Sequence, residues 1–314
     1  MSALLMLSDF VSFTSQILPR RVWWYNFAAS DLPCHCAEHC SVLTYNVNYD
    51  SPKQKINCNA DRILDAISQS EADIVLLQET NKAWEELLVE LLCSTKYPHY
   101  CFHHPEENID RAASGMAILA RYPIRNVATT KFYSENDTLL SGSVFPAMTA
   151  SIEGTPLGNL EVANVHLRPP LELDGSATFS TARTTGPIRE AEVKELLKRR
   201  QESSRSAFDL VAGDFNEQDG ADALRLLEKN GKMIDALQEY VPSNKETHRW
   251  PFGKFLTMHK RLDHICYKPD RITCIGCGVI SGYEEGASDH QPVLAKFVPS
   301  SSLSIAESSA SEKR

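Results

Sequence analysis

Asp214 and Asn216 stand two residues apart, just beyond the short run Phe208 to Ala212, which reads as a buried strand stopped by Gly213. If the extended backbone persists, their side chains point the same way, and a carboxylate beside a carboxamide can activate and hold a nucleophile. Both residues also favour turns, so the pair could merely close the strand. Similar cargo recurs at other strand ends. Asn46 ends Ser41–Asn46, Glu79 ends the almost wholly apolar Asp73–Glu79, His166 follows Leu160–Val165, and Asp289-His290 precede the last apolar run. Asp263 lies just inside a further strand. The set is carboxylate, carboxamide and imidazole, with no cysteine. Hard oxygen ligands suit Mg²⁺ or Mn²⁺ better than Zn²⁺, and Mg²⁺ is commonly held by one or two carboxylates with water and substrate phosphate completing its shell. These residue types could support attack of water on phosphorus.

The segments between them must position these groups. Ile63, Leu64 and Ile67 share one face of a helix, and Trp84, Leu87, Leu88, Leu91 and Leu92 follow the spacing of an amphipathic one. Strands are expected at Tyr100–His103, Gly115–Ala120, Ala147–Ile152, Leu160–Leu167, Leu262–Tyr267, Thr273–Ile280 and Pro292–Val298. A long polar loop, Arg168 to Gly186, leads to Pro187 in the first turn of a helix continued by Glu190, Val193, Leu196 and Leu197. Ala221 to Asn230 reads as another helix, with Leu224 and Leu227 inward and Gly231 as its stop.

A chain of 314 residues, 42% hydrophobic, is long enough for one large α/β domain. Its net charge of -9 argues against a surface that wraps long nucleic acid, and favours a small or locally gripped substrate. Nine cysteines, irregularly spaced, are too sparse for a secreted disulfide framework, so a reducing compartment, cytoplasmic or nuclear, is expected. No stretch approaches the length of a membrane span. Cys34-His35-Cys36-Ala37-Glu38-His39-Cys40 offers zinc or copper ligand types without paired Cys-x-x-Cys spacing, so ordinary thiols are expected there. The reading divides the chain into a poorly ordered leader 1–40, a domain 41–298 and a disordered Ser-rich tail 299–314.

Leu43-Thr44-Tyr45-Asn46, Leu76-Leu77-Gln78-Glu79, Asn164-Val165-His166-Leu167, Gly213-Asp214-Phe215-Asn216, Arg261-Leu262-Asp263-His264-Ile265 and Ser288-Asp289-His290 resemble, in order, the motifs of the endonuclease/exonuclease/phosphatase superfamily. The stretch Gly115 to Ala120 with Tyr122-Pro123-Ile124 is similar as well. The resemblance implies an α/β fold of the DNase I-like kind, a four-layer sandwich of two packed mixed β-sheets flanked by helices. It implies a divalent metal at Glu79, helped by Asn46, with Asp289 near it. Asp214 and Asn216 would position or activate the attacking water. His290, paired with Asp263, would contact the scissile phosphate, and His166 would bind phosphate or aid the leaving group. Abasic-site endonucleases of the superfamily usually carry Asp where this chain has Asn48, so that branch is disfavoured. The motifs look more like a loose group that includes tyrosyl-DNA phosphodiesterases, deadenylases and sphingomyelinases.

Two further residues are candidates for holding substrate. Arg168 could clamp a phosphate. Trp250 lies in the basic, aromatic segment Ser243 to Arg261, which could be a wall that stacks a base or a surface loop anchored in the core. The expected activity is metal-dependent hydrolysis of a phosphodiester, such as a nucleic-acid end, by a monomer. The alternatives are a phosphatase acting on an inositol phosphate or phospholipid headgroup, and a non-catalytic binding module.

Overall fold

In the computed structural model the described residues are 39–47, 60–104, 114–170, 181, 184–240, 246–252, 256–280 and 288–301; for 240, 250–252 and 256–258 this means the backbone alone. Residues 34–38, Asn48 and the tail beyond 301 lie outside them. The six described cysteines are free thiols.

Two six-stranded sheets form the centre of the fold. The first contains β1 (Cys40–Asn46), β2 (Ile74–Gln78), β3 (His99–His103), β4 (Met116–Ala120), β13 (Ile272–Val279) and β14 (Val293–Pro299), in the order β13-β14-β1-β2-β4-β3. The second contains β5 (Ile124–Lys131), β6 (Pro146–Thr155), β7 (Gly158–His166), β8 (Leu210–Asp214), β9 (Ile234–Asp235) and β12 (Asp263–Tyr267), in the order β5-β6-β7-β8-β12-β9. Each sheet is mixed, with one parallel pair near its middle: β1 with β2, and β7 with β8. A separate hairpin joins β10 (His248–Phe252) to β11 (Leu256–Lys260).

The alternation of strand side chains sorts residues between faces. Val42, Ile74, Leu76, Val162, Leu210, Ala212 and Ile265 share the core between the sheets. Leu43, Tyr45, Val75 and Leu77 face the other way, against helices α1 (Ala60–Ser70) and α2 (Lys82–Leu88). Val165 and Val211 likewise pack with Val193 and Leu196 of α3 (Gly186–Glu202) and Leu224 of α4 (Asp222–Leu226). A short helix, α5 (Ala236–Tyr240), adds Ala236 and Leu237 to the central core. The expected four layers are therefore present.

Local corrections have clear causes. Asn81 caps α2 by accepting from the Trp84 amide, but the helix then widens into a π turn at Val89–Cys93. The widened turn shifts the angular register, so Leu91 is 47% exposed rather than inward. The Ser243–Arg261 segment contains the β10–β11 hairpin, so it is more than a loop. β5 was not anticipated: it is an edge strand with mostly exposed side chains and no buried alternation to reveal it. Gly213 continues β8 instead of ending it. Its φ is +147°, and a Cβ there would lie 1.9 Å from the Val165 carbonyl oxygen, so only glycine permits the close β7–β8 approach.

Candidate active site

The inner-facing alternation continues past the apolar core to one end of the sheets. There it delivers Asn46, Gln78, His166, Asp214 and Asp263. Strand register sets them side by side. His166 is level with Asp214, and Asp214 with Asp263, on three adjacent strands. Across the gap Asn46 is level with Gln78. Beneath them the Gln78 side-chain amide donates to Asn164 Oδ1 at 2.7 Å and Thr44 Oγ1 at 3.1 Å. Asn164 Nδ2 donates in turn to the Leu77 and Ala117 carbonyls. This buried amide pair ties one sheet to the other just below the site. These bonds offset part of the cost of burying the two amides, and Gln78 Oε1 is left without a hydrogen-bond partner among the described residues.

Asp214 is the centre of the cluster. Its Oδ1 accepts from the Asn216 amide at 2.8 Å, and its Oδ2 accepts from Asn46 Nδ2 at 3.1 Å. The same Oδ2 lies 3.6 Å from both His166 Nε2 and His290 Nε2. Asn46 Nδ2 also donates to Glu79 Oε1 at 3.0 Å, so one carboxamide spans two carboxylates. Asp214, Asn46 and His166 are almost fully buried, whereas the Glu79 side chain is 19% exposed. His166 stacks on Phe145 with ring centroids 4.2 Å apart.

The extended backbone does not persist through Asn216. Its φ is +51°, so the chain turns there and the Asn216 side chain donates to the Leu167 carbonyl. The Asp-x-Asn turn and the site are thus one feature. Glu79 is also left-handed, at φ +59°, a conformation uncommon for a non-glycine residue and costly enough to need support from its surroundings.

His290 is fixed from the opposite side. Its Nδ1 meets Asp263 Oδ2 at 2.8 Å, in place of an Asp263 pairing with Arg261 or Lys268. Burial opposes protonation of His290, but Asp263, Asp214 and Asp289 outweigh it and hold the imidazole well above its ordinary value. Ser288 Oγ donates to the Asn46 carbonyl and accepts from the His290 amide, fastening this loop to β1. Asp289 faces His248 Nε2 at 3.5 Å, and the His248 ring lies 4.5 Å from that of His290.

Among the described residues, two groups at this end could hold a metal ion. The ligand atoms of Asp214, Asp263 and His290 lie within 4.8 Å of one another, as do those of His248, Asp289 and His290. A third group, Asp219, Asp235 and His264, already carries the Arg261 guanidinium, which pairs with both aspartates. His264 is structural, with Asp235 on Nδ1 and the Glu217 carbonyl on Nε2. Glu79 and Asn46 come together through Asn46 Nδ2, and the Glu79 carboxylate is the oxygen ligand of the pair that suits a hard divalent ion.

Arg168 is buried, its backbone held between an acceptor and a donor on α3: its N–H donates to Glu192 Oε2 at 2.9 Å, and its carbonyl accepts from Arg189. The Trp250 side chain lies outside the described residues. His248, Phe145, Gln78 and Glu192 were not singled out from sequence.

Glu192 is fully buried, and Ser143 Oγ donates to it at 2.6 Å. Burial pushes its carboxyl up to about 7, against the pull of Ser143 and the Arg168 amide. A rise from 4.5 to about 7 corresponds to about 3 kcal/mol. Between those pH values the folded protein holds more protons than the unfolded chain, so this group makes stability fall as pH rises to about 7 and has no further effect above it. Glu192→Gln keeps both hydrogen bonds without the charge. Its melting temperature relative to wild type is expected to rise from pH 5 to pH 8; a constant difference would contradict the assignment.

Two mixed six-stranded sheets packed face to face and flanked by helices, with acids, amides and imidazoles gathered at one end, make the DNase I-like α/β arrangement. The chain belongs to the endonuclease/exonuclease/phosphatase family, whose model matches residues 43–290. Among solved structures, the human Nocturnin catalytic domain with bound sulfate aligns at 18% identity and TM-score 0.61, covering 83% of this chain and 94% of that one. ANGEL2, a 2',3'-cyclic phosphatase in complex with adenosine-2',3'-vanadate, aligns at 16% identity and TM-score 0.62, covering 84% and 96%. A family member from Bacteroides vulgatus aligns at 19% and TM-score 0.58, covering 83% and 99%. At such identities the likeness is one of fold. No curated protein sequence matches the chain. Among the described residues no helix is long and apolar enough to cross a membrane.

Proposed function

We propose that this protein is a Mg²⁺- or Mn²⁺-dependent phosphodiesterase that acts on a nucleic-acid end, with its working unit in residues 41–298. The observation that carries this reading is the single row His166–Asp214–Asp263, with His290 and Asn46 both reaching Asp214. Glu79 and Asn46, with Asp289 nearby, would hold the metal ion, which when bound offsets the negative charge of the phosphodiester.

Asp214 is the general base. Its Oδ2 takes a proton from water as the water oxygen bonds to phosphorus, and Asn216 N–H keeps the carboxylate aimed through Oδ1. His290, oriented through Nδ1 by Asp263, presents Nε2 to the phosphate oxygens on which charge develops. The P–O ester bond breaks on the far side, and His166, braced by Phe145, binds the phosphate or assists the departing oxygen. The motif residues are all present, which counts against a non-catalytic module.

A substrate panel tests the assignment. Short oligonucleotides blocked at either end should be cleaved at least tenfold faster than inositol phosphates or a phospholipid headgroup. The reverse preference would support the phosphatase alternative.

A further inference from the structure

Asp263 and His264 are neighbours on β12, so alternation sends Asp263 to the inner face and His264 to the outer one, where it meets the edge of Phe215. There His264 and Arg261 join Asp219 and Asp235 in a largely buried charged cluster. His264 Nδ1 meets Asp235 Oδ2 at 2.7 Å, and the Arg261 guanidinium pairs through Nη2 with both aspartates. Burial disfavours the charged form of Asp235, but His264 and then Arg261 outweigh it and hold the carboxyl below its ordinary value. The cluster grips the chain just after Asp214. Phe215 N–H donates to the Leu262 carbonyl at 2.9 Å, the Glu217 carbonyl meets His264 Nε2 at 2.9 Å, and Asp219 is held by Arg261. These ties fall on alternate residues and bracket Asn216, whose left-handed turn lets its N–H reach Asp214 Oδ1.

Stability alone explains the cluster poorly. Arg261 is 3% exposed, and its Nε and Nη1 have no hydrogen-bond partner among the described residues. A buried guanidinium so incompletely satisfied is costly, and apolar side chains of similar volume often stabilise a fold as well. What the paired charges supply is a fixed path for the chain. We propose that Arg261 is a positioning residue for the general base, holding the Asn216 turn through Asp219 and thereby the aim of Asp214. The inference rests on the phosphodiesterase reading and deepens it.

Hydrogen exchange and steady-state kinetics on the same proteins test this. Asp219→Asn keeps the shape of the side chain and leaves the reacting groups untouched. Its Phe215–Asp219 amides should exchange about tenfold faster than in wild type, with β8 still protected. On a blocked oligonucleotide with saturating Mg²⁺, kcat should fall about ten- to a hundredfold, the scale of a misaimed catalytic group, while KM stays within about twofold. Arg261→Met should do at least as much, and Arg261→Lys, which retains the charge, should recover most of the loss. Should Arg261→Met fail to fold, Asp219→Asn carries the test. Faster exchange throughout both sheets with kcat per folded molecule unchanged would mark a merely structural cluster and overturn the assignment, as would wild-type exchange and kcat in Asp219→Asn. If exchange rises only in Phe215–Asp219 but wild type hydrolyses no phosphodiester, the hold on the turn stands and the proposed activity falls.

Discussion

Asp214→Asn is expected to lower kcat by about 10²–10⁴-fold on any phosphodiester the protein cleaves, the range of a general-base contribution. The replacement is nearly the same shape, but both oxygens of Asp214 now accept, one from Asn216 N–H and one from Asn46 Nδ2. A carboxamide can keep only one of these and must turn an N–H towards the other donor. About 1 kcal/mol of stability should be lost with it. Kinetics and thermal unfolding on the same preparation separate the two effects. A variant as active as wild type would remove the general base from the account.

His290→Ala should be at least as damaging to activity, and it should also unsettle the fold. Asp263 has no solvent exposure, and its buried carboxylate is held by His290 at 2.8 Å. Removing one member of a buried ion pair typically costs about 3–5 kcal/mol, because the other charge is left in a poor solvent. Asp263→Asn should be milder. The amide can still meet Nδ1, so the loss should appear mainly in kcat as the ring loses its orienting charge. Comparable melting temperatures for His290→Ala and wild type would mean that the pair is not the anchor described.

Much of this site was legible because strand alternation is local. Asn46, His166, Asp214 and Asp263 could be assigned to strand ends from their own neighbours, and alternation then sends each to the inner face. The ties between them could not be read that way. Gln78 meets Asn164 from the other sheet, 86 positions along the chain, and no periodicity records such a pairing. Glu192 was counted within a helix, yet its work is to hold the Arg168 amide and the Ser143 hydroxyl, both from other elements. His248 belongs to a hairpin whose mixture of basic and aromatic residues looked equally like a loop. The turn at Asn216 shows the limit of extending a strand by one residue: a left-handed φ, and not extension, aims Asp214.

Metal dependence tests most directly the proposed metal-assisted hydrolysis by the Glu79–Asn46–Asp214–His290 cluster. Hydrolysis of a blocked oligonucleotide should vanish in excess chelator and return with Mg²⁺ or Mn²⁺. Glu79→Gln, which keeps the shape of the side chain but not its charge, should need markedly more Mg²⁺ for its residual activity. Full activity in excess chelator, with an unchanged Mg²⁺ response in Glu79→Gln, would contradict it.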